Sequence, residues 1–472
     1  MADYKKVKYQ EAVDFCVKCF QGYGFTKEES EKITDVLLAA DRYGIESHGI
    51  QRLIRYHHEI TEGMVKVDAK PEIVKETPLS ATIEGNDAMG QLLGIDAMNL
   101  AIKKAKQCGV GIVAVRNSNH YGIAGYYTRM AVKEGLIGIC MCNTEAILVP
   151  TFGKQAMLGT NPIAFAMPAD PIPFSFDSAT TVVPRGKLEV YAKRGNTIPE
   201  GWALDEKGHP CNESARVLAN IINKTGGGIL PLGGAGTETS GHKGYGFSLI
   251  CEICTAILSG GTTSNYIYKT PHRSNICQFY MAIDYGMFGD KKEIEASLSK
   301  YLQELRESPK AEGEERIFTH GEKEVESDIR IRTEGIPLND KTYGEMQMIG
   351  EFTGASDLLP ERYGFPGGKC SRWDQREICE TRSGISAGPR FAYKSLFCFI
   401  FSGRMLPHCF SCRASCSLSF WNATPEPRYR LPSFPRSVPA FPEDWPERTE
   451  DTRSAQTPHR CCSPSSGNGE PA

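Results

Sequence analysis

Two rhythms of hydrophobic and polar positions alternate along the first three-quarters of the chain. In "TKEESEKITDVLLAADRYG" the apolar residues recur at helical spacing, and Thr26 followed by Glu29 three residues later forms a capping box. A second helix is predicted through "SHGIQRLIRYHHEITEG", with Ser47 as its N-cap and Gly63 near its end. "PLSATIEGND" reads as a strand and turn. "GIDAMNLAIKKAKQCG" reads as a helix closed by Gly109, and "VGIVAVR" as the strand after it. Further strands are predicted at "LIGICMCN", "NPIAFAMPA" and "PFSFDSAT". Two late helices follow: the apolar "KGYGFSLICEICTAILSGG" and the amphipathic "KKEIEASLSKYLQELRES". The pattern is a mixed α/β fold without internal repeats.

The rhythm fades near residue 352, and composition changes with it. Eight of the 17 cysteines and 14 of the 28 prolines lie beyond that point, in text such as "SPSSGNGEPA". Residues 353–472 are therefore read as a low-order Cys/Pro/Ser-rich tail. The body divides into a helical part (1–75), a mixed-sheet part (76–290) and C-terminal helices returning to the first part (291–352). The whole chain has 472 residues, is 40 % hydrophobic and 24 % charged, and carries a formal net charge of −3. Such a balance offers no electrostatic case for nucleic acid or an anionic membrane. No apolar run reaches the roughly 20 residues of a membrane span. The N-terminus, "MADYKKVKYQ", has no secretory h-region, so a cytoplasmic location with reduced thiols is expected.

Gly109-Val-Gly111-Ile-Val-Ala114 fits a loose G-x-G-x-x-A, but a dinucleotide fingerprint needs strand, glycines, helix. Here a helix ends and a strand begins, so Gly109 is a C-cap. There is no phosphate-binding G-x-x-x-x-G-K-[ST] and no G-x-S-x-G nucleophile elbow. Close cysteine pairs occur at Cys16/Cys19, Cys251/Cys254 and Cys409/Cys412, and His57 adjoins His58. No two of these stand at zinc-ribbon spacing, and a metal site is not expected.

Three clusters remain that carry chemistry. The first is "NSNHYGIAGYY" at the end of a strand. His120 is its titratable centre, with Ser118 and Asn119 to orient the ring, glycines for close backbone approach, and the flat faces of Tyr121, Tyr126 and Tyr127. Its ordinary reading is a tight polar turn. The second is Ser47-His48-Gly-Ile-Gln-Arg52, in which His48 and Arg52 share one helical face. An arginine clamps a carboxylate and a histidine moves a proton, which suits a hydroxy or keto acid; its ordinary reading is a solvated helix face. The third is a set of polar turns after apolar runs: Thr160-Asn161, Asp177 to Thr181, and His242-Lys243 at a helix entrance, where backbone N–H groups and a lysine suit a phosphate. Turn chemistry alone explains each of them equally well.

In order along the chain, "ADRYGIESHGIQRLIRY", "VRNSNHYGIAGYY", "LGTNPIAFAMPA", "FDSATT", "GKLEVYAKRGNTIPEGWALDEKGHP", "LPLGG", "GHKGYGFSLICEI" and "AIDYGMF" resemble the type-2 malate/L-lactate dehydrogenase family. That family includes the L-sulfolactate, ureidoglycolate and diketogulonate enzymes. The resemblance covers the chain to about residue 350. It implies a non-Rossmann α/β fold that binds NAD or NADP, a homodimer, and hydride transfer between a small L-2-hydroxy acid and the cofactor. It places His120 and His48 as catalytic residues and Arg52, with Ser47, at the substrate. It places cofactor contacts at Thr160, Asn161, Asp177, Ser178, Ala179, Thr180, Thr181, His242, Lys243, Gly321 and Glu322. Two departures stand out: Ala146, where Ser or Pro is usual, and more than a hundred residues beyond "GIPLN". The alternative from another class is a catalytically silent scaffold that keeps this fold; intact His48, Arg52, His120 and Lys243 argue against it.

Overall fold

The structure, a computed structural model, describes residues 5–363 apart from Arg194. The chain divides into two units, Met1–Asp374 and Gln375–Ala472, and the second lies outside the described residues, as does Cys409-x-x-Cys412.

The short strand β1 (Lys5–Val7) leads into helices α1 (Tyr9–Gly22) and α2 (Lys27–Arg42). The expected capping box starts α2: Thr26 Oγ1 accepts from Glu29 N–H, and the Glu29 carboxylate accepts from Thr26 N–H. Two 3₁₀ turns, Glu46–His48 and Ile50–Arg52, precede α3 (Leu53–Thr61). The next segment contributes β2 (Glu72–Glu76), β3 (Ser80–Glu84), α4 (Gly90–Cys108), β4 (Val110–Ser118), α5 (Ala124–Lys133), β5 (Ile137–Cys142), β6 (Ile163–Met167) and β7 (Phe174–Ser178). A smaller lobe holds α6 (Arg185–Lys193), β8 (Ala203–Leu204), α7 (Ser214–Asn223) and β9 (Gly228–Ile229). Then come α8 (Gly241–Glu252), continued by a π-helical turn at Ile253–Ile257, the strand β10 (Ile276–Ile283), α9 (Lys291–Glu307), α10 (Glu322–Glu334), β11 (Ile336–Leu338) and α11 (Asp340–Thr353).

Seven strands form one sheet in the order β2-β3-β4-β10-β5-β6-β7. Only β3 and β4 run parallel, joined by the crossover helix α4, and every other pair is antiparallel. Gly109 closes α4 in the left-handed conformation at φ +85°, and its N–H donates to Ala105 O. The G-x-G there is thus a helix stop, as its order implied. All five predicted strands join this sheet. β10, at its centre between β4 and β5, was not foreseen: "ICQFYMAI" is covered on both faces and shows no alternation.

Three apolar cores support the site. One lies between the sheet and α4 and α5, around Met98, Val113, Tyr127 and Tyr280. A second joins Phe15, Phe20, Leu37 and Tyr56 of the first helices to Ile331, Ile336 and Ile349 near the end of the body. The third fills the small lobe around Leu188, Val217 and Ile229. The C-terminal return to the first part is carried by α10, β11 and α11, whereas α9 lies where Ser299 Oγ accepts from Asp170 N–H, beyond β6. Order continues past the expected limit at residue 352: Tyr363 exchanges backbone hydrogen bonds with Lys6. Local composition could not announce that pairing, because it is made with the opposite end of the body.

Candidate active site

The two expected histidines meet at the seam between the first two cores. His48 and His120 stack with ring centroids 5.6 Å apart and planes 21° from parallel. His48 comes from the helical side; His120 follows the end of β4.

The local structure around His48 is not the helix the sequence suggested. Gly49 breaks it with an extended backbone, φ −84° and ψ −150°. Neighbouring contacts explain the break. The buried Asp41 carboxylate of α2 accepts from Ile50 N–H at 2.7 Å, and a Cβ on Gly49 would stand 2.1–2.3 Å from that carboxylate. The chain therefore turns twice over Asp41 before α3 begins, Ser47 caps nothing, and the i,i+4 face proposed for His48 and Arg52 does not exist. The residues are still brought together: Arg52 Nε donates to Ser47 O at 2.5 Å, and Ser47 Oγ lies 2.9 Å from His48 Nδ1.

His120 is held from another element. The Tyr56 hydroxyl of α3 lies 2.7 Å from His120 Nδ1. Ser118 and Asn119 do not orient the ring as expected: Asn119 Nδ2 donates to Asp87 O and Ala88 O, and its Oδ1 accepts from Ser274 Oγ. The tyrosines of the turn are not exposed platforms either. Tyr121 and Tyr127 stack in the core at 4.9 Å, and Tyr126 donates to Asp35. The glycines of the turn make room for protein: Gly125 N–H donates to Asp177, and a Cβ on Gly122 would press on Val36.

Both histidines are thus anchored at Nδ1 by a hydroxyl, and no described residue bonds to either Nε2. Burial pushes both imidazoles below the ordinary 6.5, His48 to about 3 and His120 well down, with the Arg52 and Arg55 guanidinium groups adding to the effect. Both rings are therefore neutral, and are weak bases while the guanidinium charges beside them stand uncompensated. Arg55 is itself held by Glu59 and by the Tyr268 hydroxyl, whereas the terminal nitrogens of Arg52 donate to no described residue. Tyr56, Arg55 and Tyr268 were missed in the sequence. Arg55 and Tyr56 lie inside the predicted helix, about one turn after Arg52, but were not singled out there, and nothing in the sequence points to Tyr268.

The expected cofactor residues fall into two groups. Thr180 N–H and Oγ1 both donate to Thr160 O, Leu232 N–H donates to Thr180 O, and a Cβ on Gly241 or Gly244 would collide with Gly234 or Leu232. Those contacts gather Thr160, Thr180, Thr181 and the "LPLGG" loop at the start of α8, where His242 and Lys243 are exposed. The start of β7 adjoins the 320s segment, where Ser175 N–H donates to His320 O and a Cβ on Gly321 would meet Pro173 O, while Asp177 and Ser178 close that strand and Ala179 lies just beyond it. Two of the named side chains are bound up inside the protein. Asn161 bridges Ser248 O, Glu252 and Thr144 N–H, and Glu322 is paired with Arg306, Arg316 and Thr319. The buried hydroxyls of Thr181 and Ser248, by contrast, have no partner among the described residues. The Thr181 hydroxyl, orphaned beside the glycine-rich entrance of α8, fits a polar, phosphate-bearing ligand; Ser248 lies about two turns into that helix. A separate cavity of about 280 Å³ beside Lys224 and Lys269 includes neither histidine. Among the described residues no cluster of three His, Cys, Asp or Glu side chains could hold a metal, and no helix is long and apolar enough to cross a membrane.

Comparison with known proteins identifies the family. The pattern of the malate/L-lactate dehydrogenase family matches residues 7–347. A malate dehydrogenase of Pyrococcus abyssi is 44 % identical over 358 residues, spanning 75 % of this chain and 97 % of the relative. An L-sulfolactate dehydrogenase of Methanocaldococcus jannaschii is 37 % identical over 330 residues, spanning 69 % and 91 %. The crystal structure of malate dehydrogenase from Entamoeba histolytica superposes with a TM-score of 0.72 at 35 % identity, covering 74 % of this chain and 98 % of that one. With family pattern, relatives and fold in agreement, the chain belongs to the malate/L-lactate dehydrogenase family and is a hydroxy acid dehydrogenase.

Proposed function

We propose that this enzyme transfers a hydride between a small L-2-hydroxy acid of the malate or lactate type and NAD or NADP, giving the 2-keto acid. The observation that carries the reading is the stacked histidine pair beside Arg52, with both Nε2 atoms and the terminal guanidinium nitrogens engaged by no described residue. Arg52 takes the substrate carboxylate in a two-point contact. His120 Nε2 accepts the hydroxyl proton during oxidation, and the imidazolium returns it to the keto oxygen during reduction. His48, braced by Ser47, stacks on that ring and fixes its plane. Binding of the carboxylate offsets the positive charge of Arg52, so the His120 pKa rises when a proton is to be held. The nicotinamide, when bound, supplies the hydride acceptor or donor. Thr160, Thr180, Thr181, His242 and Lys243 would hold it on one side. Asp177, Ser178, Ala179 and Gly321 would hold it on the other, with Asn161 and Glu322 bracing those loops.

A homodimer belongs to the same reading. Phe247, Ile250, Ile253, Ile257 and Leu258, on α8 and its π-helical extension, are each about half exposed, an apolar face suited to a second copy. A cytoplasmic setting accords with described cysteines that are all free thiols.

The test follows reduced-nicotinamide absorbance with the full chain, both cofactors and a panel of 2-keto acids. Turnover that vanishes in His120→Ala and His48→Ala, with cofactor binding retained, supports the reading. Folded protein that neither turns over nor binds either cofactor would sink it.

A further inference from the structure

The segment from Tyr268 to Asn275 spans the seam between the two cores that present the histidines. Its ends belong to the sheet side: the flanking Ile267 and Ile276 are both buried in the core that holds Met98 and Tyr280. Tyr268 N–H donates to Ser274 O and closes the segment into a short strap. Two of its side chains fasten it beside the catalytic turn. Arg273 Nε donates to the buried Asp87 carboxylate at 2.9 Å, and Ser274 Oγ donates to Asn119 Oδ1 at 2.6 Å, one residue before His120. Two others cross to the helical side. The Tyr268 hydroxyl accepts from Arg55 Nη2 and donates to Glu59 Oε1, and His272 Nδ1 lies 2.9 Å from Glu62 O, just beyond α3.

Backbone strain marks the crossing point. Tyr268, His272 and Asn275 are all left-handed, with φ of +59°, +55° and +56°. Histidine and asparagine are among the residues that adopt this region most readily, whereas a bulky tyrosine there is an outlier. Such a conformation persists only where its surroundings over-determine it, and it gathers at functional sites. Here the fastenings at Ile267, Asp87 and Asn119 impose it, and the phenol is thereby carried across to α3. The contact it makes is next to the chemistry. Arg55 immediately precedes Tyr56, whose hydroxyl lies 2.7 Å from His120 Nδ1. The side chains of α3 that reach the sheet side are thus Arg55 and Glu59, both held by Tyr268, and Tyr56, which meets His120. We propose that Tyr268 is a positioning residue: by gripping Arg55 and Glu59 across the seam, it keeps the Tyr56 hydroxyl on His120 Nδ1 and so fixes the ring that exchanges the substrate proton. The proposal rests on the hydroxy-acid reading of the site.

Tyr268→Phe removes only the hydroxyl. It should lower kcat about ten-fold, the worth of one charge-assisted hydrogen bond, while KM for the hydroxy acid and Kd for the cofactor stay within about two-fold. In a Tyr56→Phe background the same change should add less than about two-fold, because its effect runs through that phenol. Ser274→Ala frees the other end of the strap and should give the same loss in kcat alone; it decides the matter if Tyr268→Phe does not fold. A folded variant whose kcat is within about two-fold of the parent, losses that multiply in the double variant, or a KM that rises in step with the fall in kcat would overturn the proposal. Histidine NMR supplies a readout independent of turnover. The His120 ring signal, assigned with His120→Ala, should shift in Tyr268→Phe, while that of the exposed His209 stays in place. A parent enzyme inactive on every 2-hydroxy acid therefore refutes the dehydrogenase reading, whereas an unmoved His120 signal refutes the role of Tyr268 with or without turnover.

Discussion

Asp41 offers the sharpest stability test, because its carboxyl underlies the turn that presents His48 and Arg52. It is 5 % exposed, accepts one backbone hydrogen bond from Ile50, and pairs with no cation among the described residues. Burial raises its pKa from the ordinary 3.8 to about 8, with the Ile50 N–H pulling the other way and Glu46 adding to the rise. A carboxyl whose folded pKa lies above its unfolded one stabilises the fold fully below pH 3.8. That contribution is lost as pH rises toward 8 and is flat beyond. At about 1.4 kcal/mol per pH unit, the full span of roughly four units corresponds to about 6 kcal/mol, an upper bound because interiors relax and admit water. Asp41→Asn keeps the acceptor for Ile50 and the volume beside Gly49 but cannot ionise. It should therefore gain about 1–3 kcal/mol over the parent at pH 8, with little difference at pH 4. Urea unfolding of both proteins at the two pH values measures this directly. A variant less stable than the parent at pH 8, or a gain equal at both pH values, refutes the argument.

Arg52→Ala should raise KM for the hydroxy acid about 10- to 150-fold, the equivalent of about 1.5–3 kcal/mol for a charged two-point contact, and leave the cofactor Kd unchanged, as read by nicotinamide fluorescence. Because both imidazoles lie below their ordinary 6.5, oxidative kcat/KM should stay level as pH falls from 8 through 6.5; a midpoint at 6.5 or above in the pH–rate profile would contradict the site electrostatics. Glu252→Gln should cost about 2–3 kcal/mol in thermal unfolding. Its carboxylate accepts from Ser264 N–H and Oγ, Asn161 and Asn143, and an amide would turn a donor toward donors.

Much of the fold was legible because its signals are local. The capping box at Thr26 and Glu29 needs only residues within one turn, and Gly109 ends α4 through its own positive φ. β5 and β6 were read from short apolar runs, and in the structure one face of each is more covered than the other. β10 was missed: both of its faces are covered, and its apolar run, broken by Gln278, carries no period. The segment at residues 46–61 misled because its apolar spacing is helical, while the break at Gly49 is imposed by Asp41, a buried carboxylate from the preceding helix.

The site divides along the same line. His48, Arg52 and His120 were found because each stands in a short polar motif, but what makes them a site comes from elsewhere in the chain. Tyr56, 64 positions away, fixes His120; Tyr268, 213 positions from Arg55, holds the guanidinium that depresses both histidines. The polar residues immediately flanking His120, which looked like its natural partners, instead tie the turn to Asp87, Ala88 and Ser274. There is a physical reason for this division of labour. A turn must satisfy its own backbone and side chains before it can present a group, so the flanking Asn119 is consumed locally. Orientation of the presented ring then falls to a rigid neighbour such as α3, whose hydroxyl is placed by a core rather than by the turn. Tyr56 is fully buried in the helical core while His120 springs from the sheet, so slippage between the two cores would separate hydroxyl from imidazole before it disturbed either fold. Activity in this enzyme should accordingly be more sensitive to packing at the seam between those cores than global stability is.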